Sequence, residues 1–381
     1  MKRIYCFLIA LLLLLLVSCG GKSVQPNPVS ADRHLHPEEV SQTCARPNFV
    51  ETADGIYYES PALKRGVYLN LIFFAPSDQN EFFPLCGKPN CLHDNSDCNA
   101  YNGFGFGYYG GHFYSTVPNV FDGCIDVVRM NLDGTDHKVV TKIDTPDGNR
   151  FQSKVHRGKM YILLSPDGAL PLVEQIDRLI VLDLETMEQS EPFVELFTEG
   201  NAFTCDFQNF YEDKIFINAL TRGPQTDLNA DSFRYIELDT TTGGYRDLFE
   251  LPICIPYIEG GTCYYVEMGK GFRERRLDTG EIREIDFPTG EGRWALYDKD
   301  YIYLTGEGRN SDQERTLYFL TRDYQLVDQI DLTDGENLSD VSSARLYFSK
   351  IADMPEPFTA CLDKSQIGSG KLELQPITVN G

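Results

Sequence analysis

A short apolar–aromatic unit recurs seven times along the chain, each time directly after a turn. The copy Lys214-Ile215-Phe216 shows the pattern most clearly. The aromatic markers lie 39 to 56 residues apart with a mean of about 48, and repeats of ~40–50 residues are typical of propeller blades. The seven markers are Tyr57, Phe113, Tyr161, Phe216, Tyr264, Tyr303 and Tyr347. The spacing therefore predicts a circular array of similar sheets.

Each unit continues with a third strand, a polar turn and an outer strand, and it is preceded by a short inner strand. In unit three the third strand is predicted at 179–183 and the outer strand at 191–196. Inner strands are predicted at 203–207 and 253–257, whereas unit one has no obvious inner strand. A four-stranded sheet buries both faces only when it stacks against others around an axis. We predict an all-β fold.

The predicted domain is a single β-propeller over residues 46–381, with seven four-stranded blades and with six or eight as alternatives. In this arrangement the marker aromatics fill the space between blades, and one terminus completes the ring by joining the blade of the other. The loops between second and third strands gather on one face, where they form a candidate binding surface. One of these loops spans residues 115–123.

The N-terminus carries the features of a bacterial lipoprotein signal. Lys2 and Arg3 precede an apolar run at 7–17, which is too short for a membrane span of ~20 residues. Leu16-Val17-Ser18-Cys19 resembles the lipobox, which implies lipidation of Cys19 after removal of residues 1–18. Residues 19–45 then read as a flexible tether. We expect the protein to be lipid-anchored at the extracytoplasmic face of the bacterial membrane.

Three cysteines and one histidine lie in a distinctive insertion between units one and two. They are Cys86, Cys91, His93 and Cys98. Three thiols and an imidazole can form a tetrahedral Cys3His zinc site, although the usual Cys-x2-Cys spacing is missing. Paired cysteines outside the cell more often form disulfides. Disulfide, metal and free thiols all remain open at this stage.

Two further sites are weaker candidates. Cys254 and Cys263 flank a turn and could form a disulfide across a hairpin. Asp227, Asn229 and Asp231 place oxygen ligands at alternate positions, as a calcium loop does, but the rest of the EF-hand pattern is missing. No cofactor is predicted beyond zinc or calcium at these sites.

The acidic composition excludes one class of partner. The chain has 57 acidic and 34 basic residues and a formal net charge of −23. Phosphate binding needs clustered Lys and Arg, so a nucleic-acid partner is not expected. The sequence also lacks a Gly-x-Ser-x-Gly nucleophile elbow.

The lipobox, the repeated aromatic strands and the Cys/His stretch together resemble a family of bacterial surface lipoproteins. Their propeller is described as TolB-like or as related to the YWTD propellers of receptors. The resemblance implies the fold and the location, but no activity.

The function that we predict from the sequence is a binding or scaffold module for an extracytoplasmic protein, peptide or glycan, and we expect a monomer. The alternative is a carbohydrate-active hydrolase or lyase that uses loop carboxylates. The second alternative is metal handling through the Cys/His insertion.

Overall fold

The structure of the protein is a computed structural model. It describes residues 49–64, 67–119, 121–145, 150–165, 177–198, 205–221, 232–251, 256–267, 271–285, 294–305, 315–332, 336–350 and 358–380. The signal peptide and the tether lie outside these residues, so both remain predictions. Among the described residues, no helix has the length and apolar character that crossing a membrane requires.

The described part of the chain forms seven sheets, each built on four antiparallel strands in sequential order. The sheet of blade one carries two further short strands, Tyr101–Asn102 beside its third strand and Thr378–Val379 beside its fourth. The protein is therefore a seven-bladed β-propeller, and the predicted blade number is confirmed. The strands of blades one to three are β1 Phe49–Glu51, β2 Gly55–Lys64, β3 Val67–Pro76, β4 Glu81–Pro84 and β5 Tyr101–Asn102; β6 Phe104–Tyr109, β7 His112–Asn119, β8 Cys124–Asn131 and β9 Lys138–Asp144; β10 Arg150–His156, β11 Lys159–Ser165, β12 Arg178–Asp183 and β13 Gln189–Ser190.

Blades four to seven repeat the same order of strands. Each begins with an inner strand and ends with an outer one. The last strand in the sequence, β30 at Thr378–Val379, follows blade seven but belongs to the sheet of blade one. These strands are β14 Cys205–Tyr211, β15 Lys214–Thr221, β16 Ser232–Asp239 and β17 Tyr245–Leu251; β18 Tyr257–Glu259, β19 Thr262–Glu267, β20 Gly271–Arg276 and β21 Ile282–Ile285; β22 Trp294–Tyr297, β23 Tyr301–Thr305, β24 Arg315–Thr321 and β25 Leu326–Leu332; β26 Glu336–Val341, β27 Arg345–Lys350, β28 Ala360–Asp363, β29 Gln375–Pro376 and β30 Thr378–Val379.

The seven marker aromatics all lie on the second strand of their blades. Six of them are buried, and Tyr264 is partly exposed. The ring of Tyr57 in blade one lies 4.8 Å from that of Phe113 in blade two, and Tyr347 in blade seven lies 5.6 Å from Phe49 in blade one. Such aromatic pairs stabilise beyond the area they bury. The predicted packing between blades is therefore confirmed at these interfaces.

The C-terminal strand β30 closes the ring on blade one. It pairs in parallel with β4, with Thr378 opposite Glu81 and Val379 opposite Phe82. The backbone N–H of Thr378 donates to Asn80 O at 3.0 Å. Closure by a terminus was expected, but blade one already has four strands of its own, so β30 extends its outer edge.

The structure differs from the sequence prediction at the outer edge of blade three. Strand β13 has only two residues, and a short helix, α1 at Val194–Thr198, occupies the second half of the predicted strand 191–196. Phe193, Leu196 and Phe197 are all buried. Their spacing of three and four residues places them on one face of a helix, which packs them against the blade better than an alternating strand does.

The inner strands also differ from their predictions. Blade one does have an inner strand, the three-residue β1, which is too short for a clear sequence pattern. In blade four the inner strand β14 begins at Cys205 and continues to Tyr211, beyond the predicted 203–207. In blade five residues 253–255 of the predicted strand 253–257 lie outside the described residues, and the described inner strand β18 begins at Tyr257.

Candidate metal centre

The Cys/His insertion interrupts the fourth strand of blade one. Strand β4 pairs with β3 up to Pro84, and β5 then resumes pairing with the same strand at Tyr101. Both ends of the insertion meet at Ile72 on β3. Its carbonyl accepts from Leu85 N at 2.8 Å, and its N–H donates to Ala100 O at 2.8 Å. The sheet therefore fixes the two ends of the insertion side by side.

The four predicted ligands converge at the base of this insertion. Their donor atoms, three Sγ and one imidazole nitrogen, all lie within 4.8 Å of one another. His93 Nδ1 is 3.2 Å from Cys98 Sγ. Cys86 and Cys98 are buried, whereas Cys91 and His93 are partly exposed. The structure thus brings together the residues that the sequence singled out.

Tight turns direct these side chains inward. The N–H of Cys91 donates to Lys88 O at 3.3 Å, and the N–H of Cys98 donates to Asn95 O at 3.2 Å. His93 has a φ of 52°, in the left-handed region that few non-glycine residues adopt. Strain of this kind persists only where the surrounding structure maintains it.

A hairpin of blade two packs against the insertion. Gly134, in the turn between β8 and β9, has a φ of 74°, and a β-carbon there would lie 2.4 Å from Leu85 O and 2.7 Å from Asn99 O. His137 Nε2 lies 3.1 Å from the same Asn99 carbonyl. Only glycine permits this close approach. The centre therefore sits at the rim of the propeller, between blades one and two.

The pKa values of the two buried thiols shift in opposite directions, down for Cys86 and up for Cys98. Burial disfavours the Cys86 thiolate, but hydrogen bonds from the backbone N–H groups of Lys88 and Asn99 outweigh it and hold the pKa of Cys86 below its ordinary value. Burial raises the pKa of Cys98, despite a 3.3 Å hydrogen bond from Ala100 N to its sulfur. Several thiolates cannot accumulate at such short range unless a cation offsets their charge.

The remaining predicted sites lie wholly or partly outside the described residues. Cys263 is buried on β19, but its candidate partner Cys254 lies outside the described residues. The lipidation candidate Cys19 also lies outside them. The same holds for the calcium candidates Asp227, Asn229 and Asp231. All of these sites remain predictions.

Two buried polar residues at the interface of blades one and two were not singled out from the sequence. Glu59 on β2 is 6% exposed and Asn102 on β5 is 2% exposed. Neither Glu59 Oε2 nor either amide atom of Asn102 makes a hydrogen bond of good geometry. The burial of Glu59 could have been predicted from the sequence, because strand alternation places it on the same face as the buried Tyr57.

A groove of about 460 Å³ lies between the outer edges of blades two and three. Its lining includes Lys142 and Asp144 from β9 and Arg178 from β12. Arg178 forms an ion pair with Glu191 at 2.5 Å, so this carboxylate of the lining has a cationic partner within the groove.

The loop between β7 and β8 projects beside this groove and carries an exposed aromatic residue. Phe121 at its tip is 97% exposed, whereas the side chain of the next residue, Asp122, forms a 2.9 Å ion pair with Lys142 of the groove. The sequence marked the segment 115–123 as a loop and candidate binding surface, but Ser115 to Asn119 belong to strand β7, so the loop is shorter than predicted. Phe121 itself was not singled out.

Comparison with known proteins supports the fold and goes no further. The sequence matches no protein-family model and no curated protein. Among solved structures, the β-propeller domain of the Trilobed protease from Pyrococcus furiosus is 11% identical with a TM-score of 0.51, over 86% of this chain and 97% of that one. Identity this low shows the shared fold alone.

A second similar structure is a puromycin-hydrolyzing peptidase from Mycobacterium tuberculosis, which is 10% identical with a TM-score of 0.52. The match covers 93% of this chain but only 56% of the peptidase. An acylaminoacyl peptidase is 11% identical with a TM-score of 0.50, over 89% of this chain and 53% of that one. The chain thus spans about half the length of these two peptidases.

Proposed function

We propose that the protein is a lipid-anchored, extracytoplasmic binding module that holds a protein or peptide at the loops around Phe121. The observation that carries this proposal is the 97% exposure of Phe121 at the tip of the β7–β8 loop. Large aromatic side chains are the commonest anchors of protein interfaces because they bury much area at little entropic cost. The lipid anchor and the extracytoplasmic location in this proposal rest on the lipobox-like motif that ends at Cys19.

The loop is held in place by its own polar contacts. Asn119 donates to Asp122 Oδ2 at 3.1 Å and accepts from the Asp122 N–H at 3.2 Å. Lys142 pairs with Asp122 at 2.9 Å and with Asp126 at 3.6 Å. A preorganised loop loses less conformational entropy when it binds. These contacts support a role for Phe121 as a fixed anchor.

The charged lining of the groove next to this loop suits a partner that has charged groups as well as an apolar side chain. Lys142 and Arg178 supply positive charge, and Asp144 and Glu191 supply negative charge. Charges arranged in this way contribute more to partner choice than to affinity. A mixed surface of this kind fits a folded protein or a peptide better than it fits a glycan.

The proposal is tested with the full-length chain, purified in detergent and used to capture partners from bacterial envelope extract. A photo-crosslinking amino acid at position 121 identifies the partner that contacts this loop. Phe121→Ala is expected to weaken binding of that partner by roughly tenfold or more. Leu326→Ala, on the outer strand of blade six, is the matched control and should bind as the unchanged protein does.

Equal binding by Phe121→Ala and the unchanged protein would refute the role of this loop. Specific binding to immobilised glycans, without any protein crosslinked through position 121, would favour the carbohydrate alternative.

A further inference from the structure

We propose that Cys86, Cys91, His93 and Cys98 bind one Zn²⁺ ion in a tetrahedral site that holds the insertion closed. This site is independent of the proposed partner surface, which lies at the loop between β7 and β8. The evidence is the convergence of four zinc-type donor atoms within 4.8 Å at the base of a single insertion.

The distances suit a tetrahedral ion. Zn–S bonds of ~2.3 Å and Zn–N bonds of ~2.0–2.1 Å place neighbouring ligand atoms about 3.5–3.8 Å apart. The four donors already lie within 4.8 Å, and His93 Nδ1 and Cys98 Sγ are 3.2 Å apart. Small rotations of the side chains therefore complete the coordination without movement of the backbone.

The donor set favours a metal over a disulfide. A disulfide brings two sulfur atoms to ~2.05 Å and uses only two of the three cysteines. It gives no role to the third cysteine or to His93, whose nitrogen lies in the same cluster. A Cys3His zinc site uses all four residues and closes its coordination sphere, as structural zinc sites do.

The surroundings also suit bound thiolates. Three thiolates and a neutral imidazole leave a net charge of −1 on a Zn²⁺ complex. Backbone N–H groups point at the sulfur atoms: Ala100 N donates to Cys98 Sγ, and Lys88 N and Asn99 N donate to Cys86 Sγ. The Lys88 side chain folds back onto the carbonyl of Asp97 and adds a positive charge to the same loop.

The insertion has no apolar core that would hold it together otherwise. Its buried residues are confined to its two ends, at Leu85, Cys86, Cys98 and Ala100. Every residue from 87 to 97 is partly or fully exposed, and Leu92 is 58% exposed. Short segments without a core commonly depend on a metal or a disulfide. Zinc would supply the missing cross-link.

Metal analysis of the full-length chain, purified from membranes in detergent, tests the proposal. One zinc per chain is expected, together with three thiols that react with a thiol reagent only after chelation. Replacement by Co²⁺ should give the visible bands of tetrahedral cobalt and the charge-transfer bands of Co–S bonds. Cys91→Ser and His93→Gln should retain less than about a tenth of the zinc under the same dialysis. Cys361→Ala, a buried cysteine outside the cluster, is the matched control.

Protease sensitivity provides a second measurement that does not depend on folded variants. Chelation should expose the insertion to cleavage between residues 87 and 97, and added Zn²⁺ should restore protection. A disulfide among Cys86, Cys91 and Cys98 in a zinc-free chain would overturn the proposal. So would full zinc retention by His93→Gln together with cobalt spectra that lack Co–S bands.

Discussion

Glu59 is a buried acidic residue at the interface between blades one and two, and its burial changes its protonation. It lies on β2 among buried residues, and burial raises its pKa from an ordinary 4.5 to about 8. Weak hydrogen bonding from the Asn102 side chain, and then from the backbone N–H of Gly105, offsets only part of this effect. At neutral pH the folded protein therefore holds Glu59 in its protonated form, whereas the unfolded chain ionises it.

Folding stability is expected to depend on pH through this residue. Because the unfolded chain releases the proton first, Glu59 should lower the free energy of unfolding as pH rises from about 4.5 to about 8, by up to ~1.4 kcal/mol per pH unit. The buried His156, whose pKa burial lowers to about 4, opposes this effect below about pH 6.5, so the clearest fall is expected between pH 6.5 and 8. Glu59→Gln should remove this slope, as measured by chemical denaturation across that range. The exposed Glu185→Gln is the control and should keep the slope. Parallel curves for Glu59→Gln and the unchanged protein would show that Glu59 is not the cause.

The identities of the four candidate ligands could be predicted from the sequence, but their convergence in space could not. Cys86, Cys91, His93 and Cys98 stand out because of their residue types and close spacing. Their convergence depends on Ile72, a residue of β3 that hydrogen-bonds both ends of the insertion. Nothing in the local sequence indicates that pairing, because it joins segments that are distant along the chain.

Strand β4 has an unusual position among the elements of the ring. The Cys/His insertion begins directly after β4, which pairs with β3 on one side. Strand β30 pairs with the other, outer edge of β4. The four residues of β4 therefore hold both the closure of the ring and the start of the candidate metal centre. Short elements of this kind depend on their backbone hydrogen bonds because they bury few side chains.

A proline in β30 should weaken the closure of the ring. Thr378→Pro removes the N–H that donates to Asn80 O, and we expect it to lower the free energy of unfolding by about 1–3 kcal/mol. Thr378→Ala keeps the N–H and should change the stability by less than ~0.5 kcal/mol. Urea denaturation of both variants measures the difference. If the two variants lose the same stability, the backbone bond does not hold the closure.

Sequence periodicity located the second strands well and the edges poorly. The marker Phe216 and its neighbours form the second strand of blade four, as predicted, because alternation and aromatic content agree there. In blade three the second half of the predicted outer strand belongs to the helix α1. The spacing of Phe193, Leu196 and Phe197 was a helical signal, but the repeat pattern favoured a strand in its place.

At the scale of the whole molecule, the chain carries a strong excess of negative charge. The formal net charge is −23, and self-repulsion of like charge destabilises a compact state. The seven blades were predictable because each contains its own marker at a regular interval. The packing of the marker aromatics between blades was also predictable, but the partner of each ring was not, because contacts such as that of Tyr57 with Phe113 join separate repeats.

Salt should stabilise the folded protein. The Debye length falls from ~30 Å at 0.01 M salt to ~8 Å at 0.15 M, so repulsion across the ring becomes screened. We expect Tm to rise by several degrees between these concentrations of NaCl, as measured by calorimetry. The same experiment with a neutral osmolyte at equal osmolality separates screening from general solvent effects. A fall in Tm with NaCl would show that attractive ion pairs outweigh the repulsion.

The pairing of β30 with β4 sets an order of events during folding. Asn380 donates its side-chain amide to Glu81 across 299 residues of sequence. A chain that emerges from its N-terminus first completes the other strands of blade one early, but β4 waits for its last neighbour until almost the entire protein has been made. Contacts so distant in sequence form slowly, because a large loop must close first. The first blade to begin is therefore the last to be finished, and until then its outer edge is open to pairing with other chains.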